Sequence, residues 1–181
     1  MSLNLWQLLY FYLMGLFLAL LEIEIEGPHG WAAKLPTKRF HFRWWYQKFG
    51  KEITGYHLLL QGFLLLMFHL PLVLMRQFSW ELEILILAQF LFFMTYWDFL
   101  WFVLNPNFRL KNFKLGGIPW HTKWLLGMPL DYWLGIIGGL FLPVIFFGWG
   151  LFLIQLSYLL VYAVFTLITI VIYYLIFPSR L

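Results

Sequence analysis

The sequence predicts an all-α fold, a polytopic membrane helical bundle of about five spanning helices. Three observations predict it. Of 181 residues, 63% are hydrophobic and only 11% charged, whereas soluble domains are about a quarter charged. The apolar residues lie in runs near the roughly 20 residues needed to span a bilayer. Basic residues gather in two connections between those runs. One transmembrane domain, 1–181, accounts for the chain.

The first span covers about 3–25. Its opening, "MSLNLWQLLYFYLMGLFLALL", lacks a positive start, and no small-residue cleavage site follows. It reads as a retained helix, not as a signal peptide. The second span covers 55–75, with Pro71 and Arg76 at its far end. The third covers 80–104 and stops at Asn105-Pro106, because the residue before proline disfavours helix. The tail from Trp133 to Phe177 is too long for one span. A break at Gly148-Trp149-Gly150 divides it into spans at 131–147 and 151–177. Gly135 and Gly139, beside Gly138, and Gly15 with Ala19, have the spacing that lets helices approach closely. They are read as packing within one subunit rather than as a dimer interface.

The connection 26–54 carries Lys34, Lys38, Arg39, Arg43, Lys48 and Lys51. The connection 105–130 carries Arg109, Lys111, Lys114 and Lys123. With five spans these share a side with Arg180, leaving only Arg76 opposite. The positive-inside rule then predicts a multi-pass cell-membrane protein with its N-terminus outside and its C-terminus cytoplasmic.

In "KRFHFRWWYQKF" basic and aromatic residues interleave. Lys38, Arg39, Arg43, Trp44 and Trp45 suit the bilayer interface, with rings at headgroup depth and cations toward anionic lipid headgroups. The same mixture can stack on single-stranded nucleic acid. Beside five spans the membrane reading is preferred, and no nucleic-acid partner is expected. The second connection, "GGIPWHTKWLLGMPLDYW", predicts a short surface helix from Pro119 to Leu126. The absence of cysteine excludes disulfides and thiolate metal sites.

The acids carry the chemistry. Glu22, Glu24 and Glu26 close the first span, where the helix dipole is negative. The cytoplasmic leaflet is negative too. Something positive must offset them, either Arg39 and Arg43 downstream or a bound metal. Helical phase puts Glu22 and Glu26 on one face and Glu24 on another. Carboxylates with imidazoles suit iron, manganese or zinc. Glu22, Glu26 and His57 are therefore candidate metal ligands, with His29 or His121 as further donors. Asp98 lies roughly 10 Å inside its helix end, so it must face protein, water or a cation. His57 and Gln61 share a face of the second span, at about the depth of Asp98. His121 is a candidate general base, and Asp98 the buried carboxylate. His69 is too far out to join them and pairs with Glu81 or Glu83. His41 reads as a headgroup-level side chain. No nucleotide-binding loop, G-x-S-x-G elbow or H-E-x-x-H motif occurs.

The blocks "EIEIEGPHGWAAKLPT" and "WDFLWFVLNPNF…IPWHTKW" resemble segments of small uncharacterised prokaryotic membrane proteins. The resemblance brings no activity, cofactor or substrate. The residues support a membrane enzyme with a cytoplasm-facing Glu/His/Asp site acting on an amphipathic or lipid-like substrate. Two alternatives stay open. One is an accessory subunit held to other membrane subunits. The other is a small transporter using Gln89, His69 and Asp98.

Overall fold

Helix α4, Trp80–Leu104, is the scaffold of the bundle. The computed structural model describes residues 4–178. Around α4 pack α1 (Leu5–Glu26), α3 (Gly55–Met75), α5 (Leu130–Phe147) and α6 (Phe152–Ile176). Among the described residues these five helices are long and apolar enough to cross a membrane. Arg180 lies outside the described residues.

The sequence explains why α4 sits in the middle. Phe92, Phe93, Tyr96, Trp97, Leu100 and Trp101 recur at helical spacing and are all buried. Phe93 meets Phe68 of α3, while Tyr96 stacks on Tyr12 of α1 and Tyr162 of α6. The peripheral helices instead expose leucine, valine and isoleucine outward, as helices facing lipid do.

The glycines of α5 and α1 allow this packing. A Cβ on Gly135 would stand 2.1 Å from the Thr95 hydroxyl, and one on Gly139 would stand 2.3 Å from the Phe92 ring. A Cβ on Gly15 would meet Tyr96 at 2.5 Å. These small residues therefore pack within the chain.

At the basic end, two short hairpins fold the connections. Strand β1 (Arg39–Phe40) pairs antiparallel with β2 (Ile53–Thr54), and the exposed helix α2 (Arg43–Phe49) lies between them. The basic-aromatic segment is thus a surface helix, with Trp44 exposed. The helix expected over Pro119–Leu126 does not form. Trp124–Leu125 (β3) pairs instead with Met128–Pro129 (β4). Leu126 and Gly127 have φ of 47° and 83°, the left-handed pair of a tight hairpin turn. The helical element of this connection is one 3-10 turn at Leu110–Asn112.

Replacing Gly135 by alanine should destabilise the bundle by about 1–3 kcal/mol through overpacking. A Cβ on Gly62 meets nothing within 4 Å. Gly62→Ala should be neutral, or stabilising by up to about 1 kcal/mol. Denaturant unfolding in detergent micelles measures the contrast.

Candidate functional site

Helix α1 stays regular to Glu26 and is closed by Gly27 at φ 58°. That regularity delivers the acids by phase. Glu22 and Glu26 are 4% and 8% exposed, while Glu24 is exposed. Two carboxylates are thus buried one turn apart on the inward face.

The chain then loops back over them. Trp31 and Ala32 adopt left-handed φ of 57° and 51°, unusual for residues other than glycine. The turn aims the Ala32 N–H at Glu26 Oε1, 2.6 Å away. Arg39 donates to the Ala32 and Ala33 carbonyls. It braces the loop and leaves the glutamates alone. Arg43 is exposed. Neither arginine expected beside Glu22 and Glu26 is bonded to them, and among the described residues neither carboxylate has a lysine or arginine ion pair. Glu22 Oε1 instead accepts from the Tyr56 hydroxyl at 3.1 Å.

His57 completes the cluster from the first turn of α3. Thr54 caps that helix by accepting the His57 backbone N–H, and its hydroxyl also bonds His57 Nδ1 at 2.7 Å. Strand pairing through Arg39↔Thr54 fixes the threonine. Nε2 is left facing Glu26 Oε1 at 3.6 Å, longer than a hydrogen bond. Trp31 stacks on the imidazole at 4.3 Å and carries the Lys51 ammonium 3.8 Å from its ring centre. One potential ligand atom from each of Glu22, Glu26 and His57 lies within 4.8 Å of the others. Two donors on one tetrahedral zinc are roughly 3.4 Å apart at ordinary bond lengths, so the cluster is near coordinating size.

These three side chains line a cavity of about 40 Å³, together with Gln61, Asp98, Trp97, Trp101 and Trp120. A water needs ≳ 10–15 Å³, so an ion with a water or two fits. Among the described residues the buried Trp101 indole N–H has no partner, and the Trp97 N–H borders Glu22 without a well-formed hydrogen bond. Trp120 enters because Gly30 leaves room for it, since a Cβ there would be 2.5 Å from its ring. Trp120 is therefore turned toward the cavity. Asn105 ties the two connections together by donating to the Gly27 carbonyl at 2.7 Å.

Asp98 is held from the other side. Its Oδ2 faces His121 Nε2 at 3.0 Å and accepts from the Tyr132 hydroxyl. His121 Nδ1 faces Asp131 Oδ2 at 3.2 Å, and Lys51 donates to the same oxygen at 3.0 Å. Both ring nitrogens thus face carboxylates, which only accept when ionised. Burial disfavours the His121 cation, but Asp98 and Asp131 outweigh it and hold its pKa above the ordinary 6.5.

Glu22, Glu26, His57 and Asp98 line one cavity at the basic end, and His121 adjoins it through Asp98. His29 does not join them. Lys51, Asp131, Tyr132, Tyr56 and Thr54 escaped the sequence reading. Asp131 carried a usable signal, an acid in the first turn of a long apolar helix, but its partner lies 80 residues away. His69 pairs with Glu83, its Nε2 3.0 Å from the carboxylate. Gln89 bonds Gln155 and Tyr162. Those groups stand apart from the cavity.

Because the folded pKa of His121 is raised, its ion pairs stabilise most below about pH 6.5, the unfolded value. That stability is lost as pH rises through the folded pKa. His121→Gln should therefore flatten the decline in unfolding stability as pH rises above about 6.5, read by denaturant titrations at each pH.

No family model, curated protein or solved structure matches the chain.

Proposed function

We propose that the protein is a membrane-embedded metalloenzyme. Its cation would be held by Glu22, Glu26 and His57 at the cytoplasmic end of the bundle. The observation that carries this reading is the buried cluster itself. Two carboxylates and an imidazole converge on one cavity, without a lysine or arginine ion pair to either glutamate among the described residues. Leaving both ionised and uncompensated costs several kcal/mol per ion. A divalent cation removes that penalty. Oxygen donors with one nitrogen suit iron, manganese or zinc. Thr54 is the outer partner that fixes His57 with Nε2 toward the ion.

Three protein donors beside a cavity leave a coordination position open, as catalytic rather than structural sites do. Trp101 offers an N–H donor at that cavity, and Asp98 with His121 offers acid–base groups. An amphipathic substrate is favoured by what lies behind Tyr132. The residue also lines an apolar groove of about 390 Å³ between α4, α5 and α6, while its hydroxyl donates to Asp98. A lipid-like tail in that groove would lie one residue away from the polar site. Lys38, Arg39, Arg43, Trp44 and Trp45 would rest among anionic headgroups, with the N-terminus outside the cell. The accessory-subunit reading predicts a closed or metal-free cluster instead.

Protein purified without chelator should carry stoichiometric metal by mass spectrometry, and Glu26→Ala or His57→Ala should lose it. Thr54→Val should weaken metal affinity about 10–100-fold. In cobalt-loaded protein, azide should change the visible spectrum. An unchanged spectrum would point to a closed structural site, and no metal would sink this reading.

The orientation is tested separately with a reporter at residue 45. It should report from the cytoplasm, and an extracellular signal would overturn the assignment.

A further inference from the structure

The chain of groups around His121 goes beyond the metal cluster and stands without it. Two cavities flank this residue. The inner one, about 40 Å³, is lined by Asp98 and Trp120. The outer one, about 10 Å³, is lined by Lys51, Trp120, His121 and Asp131, room for about one water. His121 lies between them, 4% exposed. One ring nitrogen faces Asp131 of the outer cavity at 3.2 Å, and the other faces Asp98 of the inner cavity at 3.0 Å. Asp131 and Asp98 keep 31% and 34% of their side chains exposed, against 2% for His121, so the imidazole is the buried link between two accessible carboxylates.

We propose that Asp131, His121 and Asp98 form a proton shuttle between the cavity beside Lys51 and the cavity beside Glu22 and Glu26.

The groups facing the imidazole are Asp98 from α4, Asp131 and Tyr132 from α5, and Lys51 from the preceding connection. Each has a part. Lys51 holds Asp131 in place through its own ion pair. Tyr132 donates to the same oxygen of Asp98 that faces the ring, which fixes the acceptor. The step balances. The relay starts from neutral His121, the form that predominates above its raised pKa, with its hydrogen on Nε2. A hydronium in the outer cavity becomes water as it protonates Asp131. That O–H bond breaks as an N–H bond forms at Nδ1. The Nε2–H bond then breaks as an O–H bond forms on Asp98. One proton has moved inward, His121 ends neutral with its hydrogen on Nδ1, and the reverse sequence returns the proton.

The test uses chelator-treated full-length protein in lipid nanodiscs, so that a missing metal does not affect its outcome. Aspartate is labelled with carbon-13, and the Asp98 carboxyl band is followed by infrared spectroscopy after a pH jump. Asp98→Asn identifies the band by its loss. In His121→Ala, protonation of Asp98 should slow roughly 100-fold, the scale of a positioned acid–base group. Imidazole in solution should restore the rate. Asp131→Asn, close to the native shape, should also slow it and decides the matter if His121→Ala does not fold. Unchanged rates in a folded variant would overturn the shuttle. A slowed His121→Ala that imidazole does not rescue would also overturn it, leaving His121 a structural role.

Discussion

The constraint that organises the basic end is the desolvation of Glu22 and Glu26. They sit at the C-terminus of α1, where the helix dipole opposes negative charge, and both are buried. Much of the surrounding architecture responds to them. Trp31 and Ala32 adopt left-handed backbone, and through it a peptide N–H reaches Glu26. Arg39 braces that turn from outside. Tyr56 and His57, consecutive residues in the first turn of α3, each address one glutamate. Strain of this kind persists where the surroundings over-determine it. Here they do so through Arg39, Trp31 and the Thr54 cap.

The second carboxylate system answers the same constraint differently. Asp98 meets a histidine and a tyrosine, and the histidine meets Asp131 and hence Lys51. Charges alternate along this line, so each buried group has an opposite neighbour. The two systems join through the cavity wall and through Trp31, which contacts both His57 and Lys51. One half is short of positive charge and the other is balanced. That asymmetry is why a cation is assigned to the first and proton movement to the second.

The aromatic face of α4 makes this convergence possible. Tyrosine and phenylalanine rings fix α1, α3 and α6 against it, while glycines let α5 approach. The depth of Asp98 relative to Glu22 and His57 follows from that packing.

Adjacent residues alone set the five long apolar helices, the stop at Asn105-Pro106 and the phase of the acids, because apolar run length and a helical period are local properties. The sequence also singled out Glu22, Glu26, His57, Asp98 and His121, because ionisable groups near apolar helix ends must have a reason to be there. It misjudged Pro119–Leu126, where the left-handed Leu126-Gly127 turn outweighed helix propensity. The choice of partners was decided only by tertiary structure. Arg39 stands closer in sequence to Glu26 than His57 does, yet it bonds backbone carbonyls of the loop. Lys51 and Asp131 meet across 80 residues. Which charge compensates which depends on how two connections fold over one another, and no local pattern encodes that.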